Sequence, residues 1–108
     1  MEKIIITATA ESIEQVIELL EAGVDRIYVG EKHFGLRLPH TFSYDELREI
    51  SNLVHEAGKE IVVAVNALMH QEMMDKIKPF LDFIAEIQTD YITVGDAGVF
   101  YVVNRDQY

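Results

Sequence analysis

The chain has 108 residues, 49% of them apolar, no cysteine and a formal charge of −10. That length suits one domain, and the apolar fraction suits a packed core rather than a disordered chain. Zero cysteines exclude disulfides, thiolate catalysis and cysteine-held zinc or iron–sulfur groups within these residues, and the acidity disfavours a nucleic-acid surface built from this chain alone.

No apolar run approaches the roughly 20 residues of a membrane span. Met1-Glu2-Lys3 leads directly into a strand-like run without the pattern of a signal peptide, so a cytoplasmic protein is expected. The run Lys3–Ala8 is β-branched and reads as the first strand. Ile13, Val16, Ile17 and Leu20 then recur at the spacing of one helix face. Ser12 followed by Gln15 has capping-box spacing, and Gly23 is placed to end that helix in the left-handed conformation. Arg26–Val29 reads as the second strand.

A long mixed stretch follows before Ser43-Tyr44-Asp45-Glu46, a second capping box that opens a helix with Leu47, Ile50, Leu53, Val54 and Ala57 on one face and Gly58 as terminator. Glu60–Val65 runs apolar without alternation, as a central parallel strand covered on both faces does. The third helix carries Met73, Met74, Ile77, Phe80, Leu81, Ile84 and Ala85, the methionines reading as core filler. Pro79 predicts a kink or a restart near Lys78, because it lacks the N–H for residue 75 and crowds its carbonyl. Tyr91–Val94 is the fourth strand, and from Gly98 a last helix has barely begun.

Strand–helix alternation demands a parallel sheet with right-handed crossovers. The fold class is therefore α/β with parallel βα repeats, and two closures compete: a doubly wound, flavodoxin-like sheet, and the first half of a TIM-type (βα)8 barrel. Such a barrel typically takes roughly 250 residues, and four βα units in this length are close to half of one. Residues 25–30 and 90–95 share the pattern D-x-I-x-V-G. An old duplication of βαβα units and the general likeness of short parallel strands both account for it.

In either fold, ligands bind at the carboxyl ends of the strands. Candidate positions are Thr7 and Thr9 after the first strand, Gly30 to Arg37 after the second, Asn66 and His70 after the third, and Gly95, Asp96 and Gly98 after the fourth. The long stretch after the second strand then lies on the functional face, where it can close over a ligand. Gly35 is expected to permit a turn that other residues resist.

Arg37 suits a carboxylate or phosphate through its planar fork, or an ion pair with Glu31. His70 fits a general acid or base, or a residue that caps a helix or packs a loop. Asp96 fits a hydroxyl or metal contact, or ordinary turn chemistry. Asn66 can orient a ligand or tie down a neighbouring loop. His33, His40, His55 and His70 lack metal-ligand spacing, and His55 reads as a surface residue of the second helix. No metal and no cofactor is expected in this chain. No catalytic triad order, Walker loop or dinucleotide fingerprint is present.

Three blocks, "EAGVDRIYVGEKHFGLRLPHTFSYDEL", "VAVNALMHQEMMD" and "DYITVGDAGVF", together resemble the N-terminal part of the collagenase-like peptidase family, peptidase family U32. The family pattern is an Ala-Gly-Ala-Asp, a strand, a Gly, and a Phe-Gly-x-Arg loop leading to Phe-Ser and a helix, then Val-Asn-x-Leu-x-His, then a strand with Asp-x-Gly. The likeness spans nearly all of the chain in order. It implies a TIM-type barrel and an activity labelled protease in some members, and hydroxylation of tRNA, ribosomal RNA or ubiquinone precursors in others. Some hydroxylating members carry a cysteine-ligated iron–sulfur cluster, and the family's cysteine signature lies beyond residue 108. Where the family opens with Pro-Ala-Gly after its first strand, this chain has Ala8-Thr9-Ala10.

The resulting expectation is one domain, residues 1–108, forming an N-terminal half-barrel that contributes part of a substrate-binding face and is not catalytically complete alone. Its partner is the missing C-terminal half of the barrel or, in a natural half-barrel that binds a small anionic ligand, further copies of itself. A complete doubly wound α/β enzyme is the alternative.

Overall fold

In the computed structural model, residues 4–35, 38–65 and 71–94 are described, with residues 71–74 described by backbone alone. The elements are β1 (Thr7–Thr9), α1 (Ile13–Ala22), β2 (Arg26–Val29), α2 (Tyr44–Glu56), β3 (Glu60–Val65), α3 (Gln71–Glu86) and β4 (Tyr91–Val94). The strands form one parallel sheet in the order β1-β2-β3-β4. This sequential order is that of neighbouring strands in a βα barrel, and it differs from the 2-1-3-4 of a flavodoxin-like sheet. The last helix expected from Gly98 lies outside the described residues.

The helices begin where their caps dictate. Ser12 Oγ accepts from Gln15 N–H, but the Gln15 side chain reaches back to Glu11 N–H rather than to Ser12, so the first box closes one residue early. In α2 both bonds between Ser43 and Glu46 form. Gly23 ends α1 at φ 96°, as its position predicts.

The two faces of the sheet differ in character. Ala8, Ile27, Val29, Ile61, Val63, Val65, Ile92 and Val94 belong to the hydrophobic core formed with the helices. On those helices the buried side chains include Val16, Leu47, Ile50, Val54, Ile77, Phe80 and Leu81. By strand alternation, Thr7, Thr9, Arg26, Tyr28, Glu60, Val62, Ala64, Tyr91 and Thr93 lie on the other face. Arg26 Nε donates to Glu60 Oε1 at 3.0 Å, its guanidinium lies 4.1 Å from the Tyr91 ring centre, and Tyr28 Oη and Thr93 Oγ1 are 2.8 Å apart. The Glu60 hydrogen bond is the main cause holding the Arg26 pKa above its ordinary value.

At the amino ends of the strands one device appears twice. Asp25 N–H donates to Ile6 O while Asp25 Oδ2 accepts from Ile6 N–H; Asp90 N–H donates to Ile61 O while Asp90 Oδ2 accepts from Ile61 N–H. Each aspartate therefore ties both polar backbone groups of one residue, Ile6 just before β1 and Ile61 within β3. The shared first letter of D-x-I-x-V-G has a physical task.

Several local expectations change. The first strand is shorter than Lys3–Ala8: Ile4, Ile5 and Ile6 are 82%, 52% and 53% exposed and precede β1. With β2 as its neighbour in the sheet, this run is β-favouring but gains regular pairing only where β2 lies beside it. Ile17 is exposed on α1, while Leu19 packs on the core. Ala57 and Ala85 are exposed as well. Helix α3 continues through Pro79 without a restart. Asp75 and Pro79 are both exposed, so water can serve the carbonyl that proline leaves without a donor. His55 is more than a surface residue: its Nε2 lies 2.8 Å from Asp90 Oδ2 and its Nδ1 3.3 Å from Ser51 Oγ, linking α2 to the start of β4.

Candidate functional site

The stretch after β2 is a compact loop closed by its own backbone. Phe42 N–H donates to Gly30 O at 2.9 Å, Phe34 and Gly35 N–H both donate to Glu31 O, and Leu38 N–H donates to Gly35 O. Two aromatic residues anchor it. Phe34 is buried and stacks on Phe80 of α3 with ring centres 4.3 Å apart, and Phe42 is buried against the core.

Gly30 and Gly35 sit where this loop crosses itself. A Cβ on Gly30 would lie 2.7 Å from Leu38 Cδ1 and 3.1 Å from Gly35 Cα, and one on Gly35 would lie 3.0 Å from Glu31 O. Gly35 was expected to supply an unusual turn, but the positive-φ glycines among the described residues are Gly23 and Gly58. Close approach of backbone to backbone is the reason for glycine at 35.

Between this loop and the start of α2 lies a cleft of about 390 Å³ lined by residues that include Glu31, Lys32, His33, Phe42, Ser43 and Tyr44. It stands at the carboxyl end of β2, the edge where parallel βα proteins place their ligands. Glu31 is only 5% exposed. Its Oε1 accepts from His33 N–H at 2.8 Å and pairs with His33 Nδ1 at 2.7 Å, while its Oε2 is buried without a hydrogen-bond partner among the described residues. Tyr44 stacks on Phe83 with ring centres 4.5 Å apart. Partial burial, then the negative charge of Glu31, raise the Tyr44 pKa above its ordinary 10.0.

Of the positions expected to bind a ligand, Gly30 and Gly35 frame this loop, while Arg37, Asn66, His70 and Asp96 lie outside the described residues, as do Gly95 and Gly98. Sequence reasoning placed Glu31 among the candidate positions Gly30 to Arg37 and as a possible partner for Arg37, and missed its bond to His33. An acidic residue just past a strand-ending glycine, two positions before a histidine, was the available signal.

Ser51, His55 and Asp90 lie in triad-like sequence at the other end of the sheet, but they lack an accessible nucleophile. Ser51 is 1% exposed, and its hydroxyl donates to Ile87 O at 2.7 Å. Asp90 is engaged with the backbone of Ile61. The amino-end face of a parallel βα fold is where such networks serve stability.

Among the described residues, no group of three or more His, Asp or Glu side chains is placed to hold a metal ion, and no helix is long and apolar enough to cross a membrane. A thiolate-ligated cluster does not fit the donors of this chain, which has no cysteine.

The elements thus define a parallel βα-repeat protein with a loop-built cleft at its carboxyl edge. Residues 11–108 match Peptidase family U32, and the chain belongs to that family. The three sequence blocks pointed to the same family. The match begins just after Ala8-Thr9-Ala10, where the chain departs from the family pattern.

The chain is 32% identical over 99 residues to tRNA hydroxylation protein P2 of Bacillus subtilis, covering 92% of this chain and 32% of that protein. It is 25% identical over 87 residues to an uncharacterized protease of Methanocaldococcus jannaschii, covering 80% and 21% respectively. It is 24% identical over 82 residues to a 23S rRNA 5-hydroxycytidine synthase of Escherichia coli, covering 76% and 13%. The chain spans a third or less of the length of these curated relatives. No solved structure matches it significantly.

Proposed function

We propose that these four βα units are the first half of a (βα)8 barrel in a protein that hydroxylates RNA, and that the loop after β2 supplies part of its substrate-binding face. The observation that carries the barrel reading is the sequential parallel order with one face of the sheet turned away from the helices. In a barrel that face points inward, and its mixture of Arg26–Glu60, Tyr28–Thr93 and Val62 would be enclosed by further strands. The relatives' greater length leaves room for those strands.

The chemistry is proposed from the relatives named for hydroxylating tRNA and 23S rRNA. A peptidase reading follows from the family's name, but the Ser51–His55–Asp90 network gives it no support, because Ser51 is buried and already bonded. With a formal charge of −10, this half repels phosphates. Basic surfaces elsewhere in the assembled protein would hold the RNA backbone, and this half is not catalytically complete alone. Gly30, Gly35, Arg37, Asn66, His70 and Asp96 are the positions assigned to its ligand-binding edge, and an RNA-modifying role places the protein in the cytoplasm.

The test is the nucleoside composition of tRNA and rRNA, measured by mass spectrometry in cells with and without the gene. Loss of one oxygen from a modified nucleoside, restored by the gene, is the expected result. An unchanged nucleoside inventory would overturn the assignment.

A further inference from the structure

The cleft beside the β2 loop has a chemistry more selective than its size. Glu31 is buried in its wall, and its Oε1 receives both the backbone N–H and Nδ1 of His33. A carboxylate can only accept, so this pairing assigns the Nδ1 proton to the shared hydrogen bond and leaves Nε2 of the neutral ring as an acceptor. The His33 side chain is 39% exposed. It is a half-open imidazole whose orientation is set by a buried acid.

The surroundings argue against an anionic ligand. Glu31 puts negative charge in the wall, and the N-terminus of α2 is occupied by its own cap, with Ser43 N–H bonded to the Glu46 carboxylate and Asp45 beside it. They favour a flat molecule that donates hydrogen bonds. Tyr44, 42% exposed, offers an aromatic surface braced on Phe83, and Lys32 offers a donor for a carbonyl. A cleft of about 390 Å³ is within the range of small-ligand sites and holds a single heterocycle.

We propose that this cleft receives an unstacked nucleobase, with His33 Nε2 accepting from the base's ring N–H or amino group, Tyr44 contacting its ring and Glu31 positioning His33. Enzymes that modify bases read an extruded base by its hydrogen-bonding edge and by aromatic contact. The inference rests on the RNA-hydroxylation reading and assigns that activity a base-recognition pocket in this chain.

The test is an NMR titration of the full chain with cytidine, following the imidazole nitrogens, with ribose as the control. Cytidine should shift His33 Nε2 saturably and ribose should not. His33→Ala should weaken cytidine binding by about tenfold, the scale of one good base-edge contact, with little change in melting temperature. Glu31→Gln should weaken it too and should alter the His33 nitrogen shifts before any ligand is added, as loss of the fixed tautomer requires. An unmoved His33 on cytidine addition, or His33→Ala binding cytidine like the wild type, would overturn the proposal.

Cells separate this inference from the reading it rests on. If deletion of the gene removes a hydroxylated nucleoside and His33→Ala restores it fully, the pocket assignment fails and RNA hydroxylation stands. If deletion changes no nucleoside, RNA hydroxylation itself fails.

Discussion

A Cβ on Gly35 would meet backbone alone, with Glu31 O at 3.0 Å and Gly30 Cα at 3.3 Å, and one on Gly30 would meet Leu38 Cδ1 at 2.7 Å, the backbone at Gly35 Cα at 3.1 Å and Ala64 Cβ at 3.3 Å. Leu38 can swing aside more cheaply than a chain segment can move. Backbone still lies 3.1 Å from a Cβ on Gly30 after Leu38 moves, so Gly35→Ala and Gly30→Ala should each cost about 1–3 kcal/mol of stability, as urea denaturation of the two variants would show. Tyr44 gives a pH signature. Its folded-state pKa is raised above the ordinary 10.0, so the folded state holds this proton more tightly than the unfolded state does. The associated stability is fully present below about pH 10 and is lost as pH rises through the folded-state value. Denaturant midpoints should fall more steeply above pH 10 for the wild type than for Tyr44→Phe, and equal slopes would contradict a phenol partly shielded beside Glu31. Neither effect is visible in local sequence pattern. Glu31 reads as an acid after a strand, and only the closed loop shows that it is buried and bonded to His33.

At the scale of elements, the structure follows the sequence where a signal is local and departs from it where a neighbour decides. Helix α2 was legible because Ser43 and Glu46 form a complete reciprocal cap ahead of Leu47, Ile50 and Val54. β1 was read too long because three β-branched isoleucines report propensity, while pairing with β2 begins at Thr7. The proline does not restart α3, since its position on the exposed face lets water relieve the lost bond. Pro79→Ala should then stabilise the chain, by up to about 3 kcal/mol, and a raised melting temperature is the expected reading. The paired aspartates offer a matching test. Asp90→Ala strips the Ile61 N–H of its acceptor and His55 of its partner, and should cost about 1–3 kcal/mol. An unaltered denaturation midpoint would show that the amino-end device carries no stability.

For the whole molecule, the proposed half-barrel leaves apolar surface to be covered: the exposed Ile4–Ile6 run before β1 and, on the sheet face turned from the core, exposed Tyr91 and half-buried Tyr28 beside the buried Val62 and Ala64. So small a domain gains much from burying them. The opposing charge of −10 acts mainly within a screening distance of about 8–10 Å at physiological salt. Alone at micromolar concentration, these 108 residues should sediment as a dimer or larger species, and a monomer that binds no hydrophobic dye would contradict a need to cover Ile4–Ile6 and Tyr91. The most direct test of the half-barrel is an experimental structure of the protein in its assembled form. It should show β4 hydrogen-bonded to a further parallel strand and the Tyr28–Val62–Tyr91 row enclosed within a closed barrel. Helices packed across that row, or β4 standing as a permanent edge, would contradict it.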